Sequence, residues 1–239
     1  MNSKPIFPEL KAFISSMQLI ATNYALRCDA KYADSEFLAI DKKIRVGGFF
    51  ELGDMLPVPF AKGSQPDSLD QPTEDSVPVI NTLSIQNLSI RAEDCRHITR
   101  DDFDSLSSER KLKKGDVLLT VDGGVSIGKV ALFDSTKDFT IDSHVVVLRP
   151  EGLSSLALVY LLASPLAQMQ FRRAESGASG QTTVTEDDVR RFIFPRSLLK
   201  TIDQVTATIE SERREIIKQR QTLDKKEALL WKHLDKFSA

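Results

Sequence analysis

Lys113-Lys-Gly-Asp-Val-Leu-Leu-Thr-Val-Asp-Gly-Gly-Val-Ser-Ile-Gly-Lys-Val-Ala-Leu-Phe133 sets a glycine-rich stretch between two apolar runs. Gly123, Gly128 and Lys129 satisfy the Gly-x-x-x-x-Gly-Lys part of a nucleotide-triphosphate loop, in which backbone N–H groups cradle phosphates and the lysine reaches them. Position 130 decides against that reading. Such a loop needs Ser or Thr there to hold magnesium, and a helix must begin at once. The residue is Val130, and Ala131-Leu-Phe133 then runs into Asp134-Ser135, too short for a helix and rich enough in β-formers for a strand. The unit reads strand, glycine-rich turn, strand. Two readings of the turn remain. In one, the glycines supply positive φ angles and Lys129 is merely solvated. In the other, the turn leans its N–H groups, Ser126 and Lys129 on a nucleic-acid backbone.

Around this unit lies an ordinary globular composition: 239 residues, 41% hydrophobic, 28% charged, with a formal net charge of −2. That length buries one good core plus an appendage, so two domains are the upper bound. The charge excludes a uniformly basic nucleic-acid glove, and any DNA contact must come from a local patch or be shared with a partner. No apolar run approaches membrane-span length and the first residues lack a signal-peptide pattern, so a cytoplasmic protein is expected. Cys28 and Cys95 form no zinc or disulfide pattern. His97, His144 and His233 are isolated, and neither His-Glu-x-x-His nor Gly-x-Ser-x-Gly occurs. Neither a metal nor an organic cofactor is expected.

Outward from the turn, helical spacing of Leu10, Phe13, Ile14, Met17, Ile20, Ala21 and Tyr24 predicts a helix over about residues 8–26. The polar run from Lys62 to Asp75 reads as an exposed loop. Strand-like runs fall at 77–80, 83–90, 117–121, 129–133 and 144–148. Ser154-Ser155 and Ser164-Pro165 start two short helices. Residues 172–181 read as a basic, glycine-containing loop. Thr185-Glu-Asp-Asp188 is a capping-box start for a helix ending before Pro195. Finally Ile202, Ile209, Ile216, Leu223, Leu230 and Phe237 recur every seven residues through a polar, glycine-free segment, which predicts a long helix with a single apolar seam. The second seam position runs Val205, Glu212, Gln219, Lys226, so a zipper apolar at both positions is not encoded, and a narrow antiparallel pairing fits better.

Taken in order, these pieces resemble the specificity subunit of Type I restriction-modification systems, as one target-recognition domain followed by one spacer helix. The resemblance rests on Arg27-Cys-Asp-Ala-Lys-Tyr32, Val77 to Ile85, Lys114-Gly-Asp-Val-Leu-Leu119 with Ile127-Gly-Lys-Val-Ala131, His144-Val-Val-Val-Leu-Arg-Pro150, Leu161-Leu-Ala-Ser-Pro165 and Ser176-Gly177 through Val189. Each motif is weak, and their order and spacing carry the likeness. Relatives commonly hold two recognition domains in a longer chain, whereas one copy is present here. The segment before the spacer helix is reduced to Ile193-Phe-Pro195 and Gln204.

The resemblance implies an α/β fold, a mixed twisted sheet with short helices over residues 1–197, and a coiled-coil-like arm over 198–239. It implies a non-catalytic reader of double-stranded DNA that positions adenine-methyltransferase subunits, with a restriction subunit able to join. No Asn-Pro-Pro-Phe or Asp-Pro-Pro-Tyr methylation motif occurs in the chain itself. Candidate DNA contacts are Lys62, Ser64, Gln65, Asn81, Ser126, Lys129, Arg172, Arg173, Ser179, Gln181 and Thr182. Ile209, Ile216, Leu223 and Leu230 are the candidate dimerisation seam, for a second copy or another half-length specificity chain. A helical scaffold that never reads DNA is the alternative, and a nuclease built on Asp67, Glu109 and Lys111 is a weaker one.

Overall fold

The computed structural model describes residues 34–86, 88–178 and 181–235. The expected helix over 8–26, the Arg27–Tyr32 motif, Ser179 and Phe237 lie outside them. The chain divides into two compact units, one running to Ser197 and the other starting at Leu198.

The first unit is a mixed α/β structure. Its helices are α1 (Ser35–Gly47), α2 (Arg100–Ser105), α3 (Ser155–Ala163), α4 (Pro165–Ala174) and α5 (Glu186–Arg190). Its strands are β1 (Phe49–Glu51), β2 (Ala61–Lys62), β3 (Val77–Ile80), β4 (Ile85–Gln86), β5 (Ser89–Ile90), β6 (Arg96–Ile98), β7 (Val117–Thr120), β8 (Val130–Leu132), β9 (Thr140–Ile141), β10 (Val145–Leu148), β11 (Ser176–Ala178), β12 (Gln181–Thr183) and β13 (Ile193–Pro195).

The glycine-rich stretch folds as the sequence indicates. β7 and β8 pair antiparallel, with Leu119 opposite Val130 and Val117 opposite Leu132. They form one half of a four-stranded antiparallel sheet of order β2-β10-β7-β8. All four residues of β7 and of β10 are buried, so this sheet is covered on both faces. Leu118, Ala131, Val145 and Val147 point to one side, into a cluster with Ile80, Ile85, Phe133, Phe139 and Ile141. The alternate residues face the other way, where α3 packs over β7 and β8. That helix is apolar almost all round, with Leu158 and Leu162 fully buried, as a helix roofing a sheet must be. A second sheet of order β6-β3-β9 runs alongside, β3 antiparallel to β6 and parallel to β9.

Two motifs of the sequence meet in one structural pin. Asp116 of Lys114-Gly-Asp116 is buried and takes both arms of Arg149, at 2.8 and 2.9 Å, while its Oδ2 also accepts the Lys113 N–H at 2.9 Å. This charge-assisted fork fixes the turn before β7 against the end of β10. Elsewhere Gln170 replaces a strand: its carboxamide donates to the Ile193 carbonyl and accepts the Ile193 N–H, at 3.1 and 2.8 Å. β13 therefore pairs with β1 on one side and is held by a side chain at Ile193.

Three expectations change in detail. The run 83–90 is not one strand but the hairpin β4–β5, turned through Leu88 at a φ of 62°. A leucine in the left-handed region is rare, so nothing in the residue pattern announced the turn. Residues 172–181 are not a loop. Arg172 and Arg173, both good helix formers, continue α4 to Ala174, and the hairpin β11–β12 follows. The capping box at Thr185 is present, but its helix ends at Arg190 and Ile193–Pro195 forms an edge strand in which Pro195 sits opposite Phe49. The helix α1 and the strand β6 had no clear sequence signal.

The second unit is the helix α6, Ile202–Asp235, 34 residues long. At about 1.5 Å per residue it measures roughly 51 Å. Its i,i+4 contacts include Arg214 to Glu210 at 2.7 Å and Gln219 to Glu215 at 3.1 Å. Ile202 is buried, and along the seam Ile209, Ile216, Leu223 and Leu230 are exposed by 38, 50, 62 and 65%.

Candidate nucleic-acid interface

The strand directions decide where the candidate contacts lie. In the four-stranded sheet, β2 and β7 end, and β8 and β10 begin, on the same edge, since Lys62 pairs with Val146, Val145 with Thr120, and Leu119 with Val130. β3 and the parallel β9 also end together, Ile80 beside Ile141, and Asp142 N–H donates to the Ile80 carbonyl at 2.9 Å. Segments 62–65, 81–84, 122–129 and 142–144 therefore emerge from one end of the domain. The hairpin β11–β12 joins them: Asp122 bridges to Thr183, Gly123 N–H donates to the Thr182 carbonyl at 3.3 Å, and Thr183 Oγ1 donates to the Val121 carbonyl at 3.1 Å.

The glycine-rich turn is a 3-10 turn, Gly124–Ser126, entered and left through positive φ angles at Gly123 (99°), Gly124 (59°) and Gly128 (82°). Gly128 has a second reason to be glycine, because a Cβ there would press on Gln168 and Phe171 at about 3.0 Å. The turn does not stand free. Lys129 Nζ donates to the Thr82 carbonyl at 3.1 Å and Gln168 Nε2 donates to the Gly128 carbonyl at 3.0 Å. Gly63 brings the next segment in even closer, where a Cβ would lie 2.0 Å from the Asp142 carbonyl oxygen.

Each candidate contact has a definite place. Lys62 and Gln65 are exposed and Ser64 half-buried at the end of β2. Asn81 is buried, with Oδ1 accepting from the N–H groups of Leu83 and Ser84 at 2.8 and 3.2 Å and Nδ2 donating to the Asp94 carbonyl at 3.1 Å. Its amide is committed to shaping its own turn. Ser126 is buried as well. Lys129 is half-buried, with one ammonium proton given to Thr82. Thr182 Oγ1 donates to Glu175, and Gln181 heads β12. Arg172 and Arg173 line a groove with Asp34, Glu36, Phe37 and Glu175, where the Arg173 guanidinium lies 4.3 Å from the Phe37 ring centre, a cation–π contact. Glu175 links this groove to the β11–β12 hairpin through Thr182.

The same end carries titratable groups that sequence reasoning passed over. His144 Nδ1 lies 3.5 Å from Asp122 Oδ2, and the buried Asp142 accepts the His144 N–H at 2.9 Å. Burial pushes the Asp142 carboxyl above the usual carboxylate range, against the pull of the His144 N–H and of the charges on His144 and Arg96. Among the described residues no three His, Cys, Asp or Glu side chains gather as a metal site. No helix among them is long and apolar enough to cross a membrane. The arrangement is one of turns and hairpin tips held by a rigid sheet, a surface suited to recognition.

Comparison with known proteins agrees with that class. The model of the Type I restriction modification DNA specificity domain matches residues 48–220, which covers most of the recognition unit and the first half of α6. The chain belongs to that family. Among solved structures it is similar to the Type I restriction-modification S subunit from M. genitalium, at 15% identity and a TM-score of 0.48 over 69% of this chain and 38% of that one. It is also similar to the HsdS subunit from Thermoanaerobacter tengcongensis, at 17% identity and 0.45 over 70% and 39%. A chain from work on complex assembly and conformational transition of the type I R-M system matches at 18% identity and 0.43 over 83% and 50%. The chain thus spans no more than half the length of these proteins. No curated protein matches it.

Proposed function

We propose that this chain is the non-catalytic DNA-reading subunit of a Type I restriction-modification system, which directs adenine-methyltransferase subunits to a target sequence. The family match over residues 48–220 carries this reading. The unit up to Ser197 reads DNA, and the helix from Leu198 is the spacer arm on which partners assemble. The convergence of segments 62–65, 81–84, 122–129 and 181–183 at one end supports placing the DNA there. Within it Lys62, Ser64, Gln65, Lys129, Gln181 and Thr182 are the proposed polar contacts, the two lysines setting register on phosphates and the amides reading base edges in the major groove. Asn81 and Ser126 drop out of that set because both are buried. Arg172 and Arg173 are set aside because Arg173 stacks on Phe37 and both line a groove that also holds Asp34, Glu36 and Glu175.

One recognition unit reads one half-site. A second copy, paired antiparallel through Ile209, Ile216, Leu223 and Leu230, places two recognition units about a two-fold axis, and the target is then an interrupted palindrome. Pairing with a different half-length chain gives an asymmetric bipartite target instead. Such a reader acts on chromosomal and invading DNA in the cytoplasm, and a restriction subunit joins where the system also cleaves. Methylome sequencing of cells expressing this chain with its neighbouring methyltransferase tests the reading. One methylated adenine motif, lost when this chain alone is deleted, is the expected result. Methylation without a motif, or unaffected by the deletion, overturns it in favour of a scaffold.

A further inference from the structure

Surface turns ordinarily turn polar side chains outward and aliphatic ones inward. Two adjacent turns at the reading end do the reverse. In the glycine-rich turn Ser126 is buried and Lys129 sends its ammonium inward to Thr82, while Val125 at the apex is 101% exposed. In the neighbouring turn Asn81 and Ser84 are buried, at 6 and 0%, and hydrogen-bonded to each other, while Leu83 is 65% exposed. The Lys129–Thr82 hydrogen bond ties the two turns together, and Gly123 approaches the Thr82 methyl. The inversion is therefore built by several buried polar groups acting together, and it costs each aliphatic its burial.

An aliphatic tip gains nothing from a phosphate. On the edges of base pairs in the major groove, the apolar group on offer is the C5-methyl of thymine. A groove about 12 Å wide admits a tight turn. A protein partner would call for a broad contiguous apolar patch, whereas the groove that Val125 borders mixes Ile85, Leu88 and Ile127 with Gln86, Lys129 and Gln168, and Leu83 does not line it. Insertion between base steps is the work of larger wedges such as Phe, Leu or Met, which fits Val125 poorly.

We infer that Val125, with Leu83 beside it, is a specificity-determining residue that reads a thymine methyl group in the DNA target. The inference rests on the DNA-reading function proposed above. Val125 is fully exposed, so Val125→Ala should leave stability intact, and an unchanged melting temperature verifies it.

The test uses the full chain assembled with its methyltransferase partner. Affinity is measured for the target identified by methylome sequencing and for a series in which each thymine is replaced singly by uracil, which removes only the methyl. The wild type is expected to lose about fourfold in affinity at one thymine, the size of one buried methyl. Val125→Ala is expected to bind the parent target about fourfold more weakly and to be indifferent to uracil there. Leu83→Ala should remove sensitivity at an adjacent thymine or at the same one. A flat uracil series in the wild type, or an equal loss in wild type and Val125→Ala, overturns the inference while the DNA-reading function stands. So does a Val125→Ala chain that discriminates bases normally but no longer assembles with the methyltransferase, which would make the tips a protein-docking surface. Absence of any sequence preference in the wild-type complex overturns both.

Discussion

Leu118, Val145 and Val147 are exposed by 2% or less in the four-stranded sheet of the domain, whereas Ile209, Ile216, Leu223 and Leu230 on the long helix are 38 to 65% exposed. Both sets are aliphatic, and both follow the period of their element: Val145 and Val147 share one face of a strand at a spacing of two, and the helix residues recur every seven. The domain has within itself the surfaces that cover its strands: a second sheet against one face and α3 against the other. The seam of α6 stays exposed among the described residues. A helix with one apolar residue per heptad gains modestly from pairing, so the proposed pairing calls for a partner matched in register and a complex reinforced by further subunits.

The largest effect expected from breaking this contrast is on association. Ile216→Asp combined with Leu223→Asp places four carboxylates in the seam of a homodimer. At about 1–3 kcal/mol for each unpaired buried polar group, association should fall by at least about a thousandfold. The recognition domain should remain folded, with its circular dichroism and melting transition unchanged. Sedimentation equilibrium of the variant and wild type reads the first part directly. A wild-type complex that holds a single copy of this chain would remove the homodimer and leave the heterologous pairing.

On the other side of the comparison, the domain's stability should hinge on its internal pins and not on the arm. Arg149→Ala leaves the Asp116 carboxylate buried and half-unpaired, which costs about 3 kcal/mol, the low end for a broken buried pair because Arg149 is 30% exposed. Urea unfolding of the domain should show this loss, and self-association should be untouched. If Arg149→Ala unfolds as the wild type does, the fork between the two motifs is not what sets the approach to β7.

The sequence disclosed the parts of the fold that follow from periodicity and from covalent geometry. The β7–β8 unit was legible because Val130 stands where a nucleotide loop needs a hydroxyl, and the long helix because its seam repeats every seven residues. The α4–β11 junction was not, since Arg172 and Arg173 suit a helix end and a basic loop equally. The reading end was only partly legible. Gly123, Gly124 and Gly128 marked the turn, but the inward direction of the Lys129 ammonium depends on Thr82, more than forty residues away in the chain. Asn81 shows the same limit. An asparagine after a strand suits a base contact or an Asx turn, and only the positions of Leu83, Ser84 and Asp94 make it the latter.

A smaller effect is expected at Lys129, to which the proposed reading gives a phosphate contact besides its place in the turn. One ammonium proton holds the Thr82 carbonyl, and two remain for a phosphate. Lys129→Ala should lower stability by about 1 kcal/mol, as loss of a partly buried hydrogen bond does. It should weaken binding equally on cognate and non-cognate DNA and reduce the salt slope by about 1. Salt titration separates the two roles: a lowered melting temperature with an unchanged slope would assign Lys129 wholly to pinning the turns.

The smallest effect sharpens the contrast from within the domain, because Asp142 is a buried carboxylate beside the apolar core. It is 5% exposed, beside Ile141 and Val145, and burial holds its proton on above the usual carboxylate range. The groups acting on it from its surroundings are His144 and Arg96, which favour the charged form, and Asp122, which opposes it. In the unfolded chain the same carboxyl loses its proton near pH 4. Between that pH and its raised native value the folded state binds more protons than the unfolded one, so stability falls as pH rises through the window. Asp142→Asn removes the titration while its carboxamide oxygen still accepts the His144 N–H. The variant should therefore gain on the wild type steadily as pH rises from about 4 and hold a constant advantage once Asp142 is ionised. Melting temperatures of the two proteins across this range give the difference directly. A difference that does not change with pH would mean that Asp142 is solvated well enough to ionise as it does in the unfolded chain.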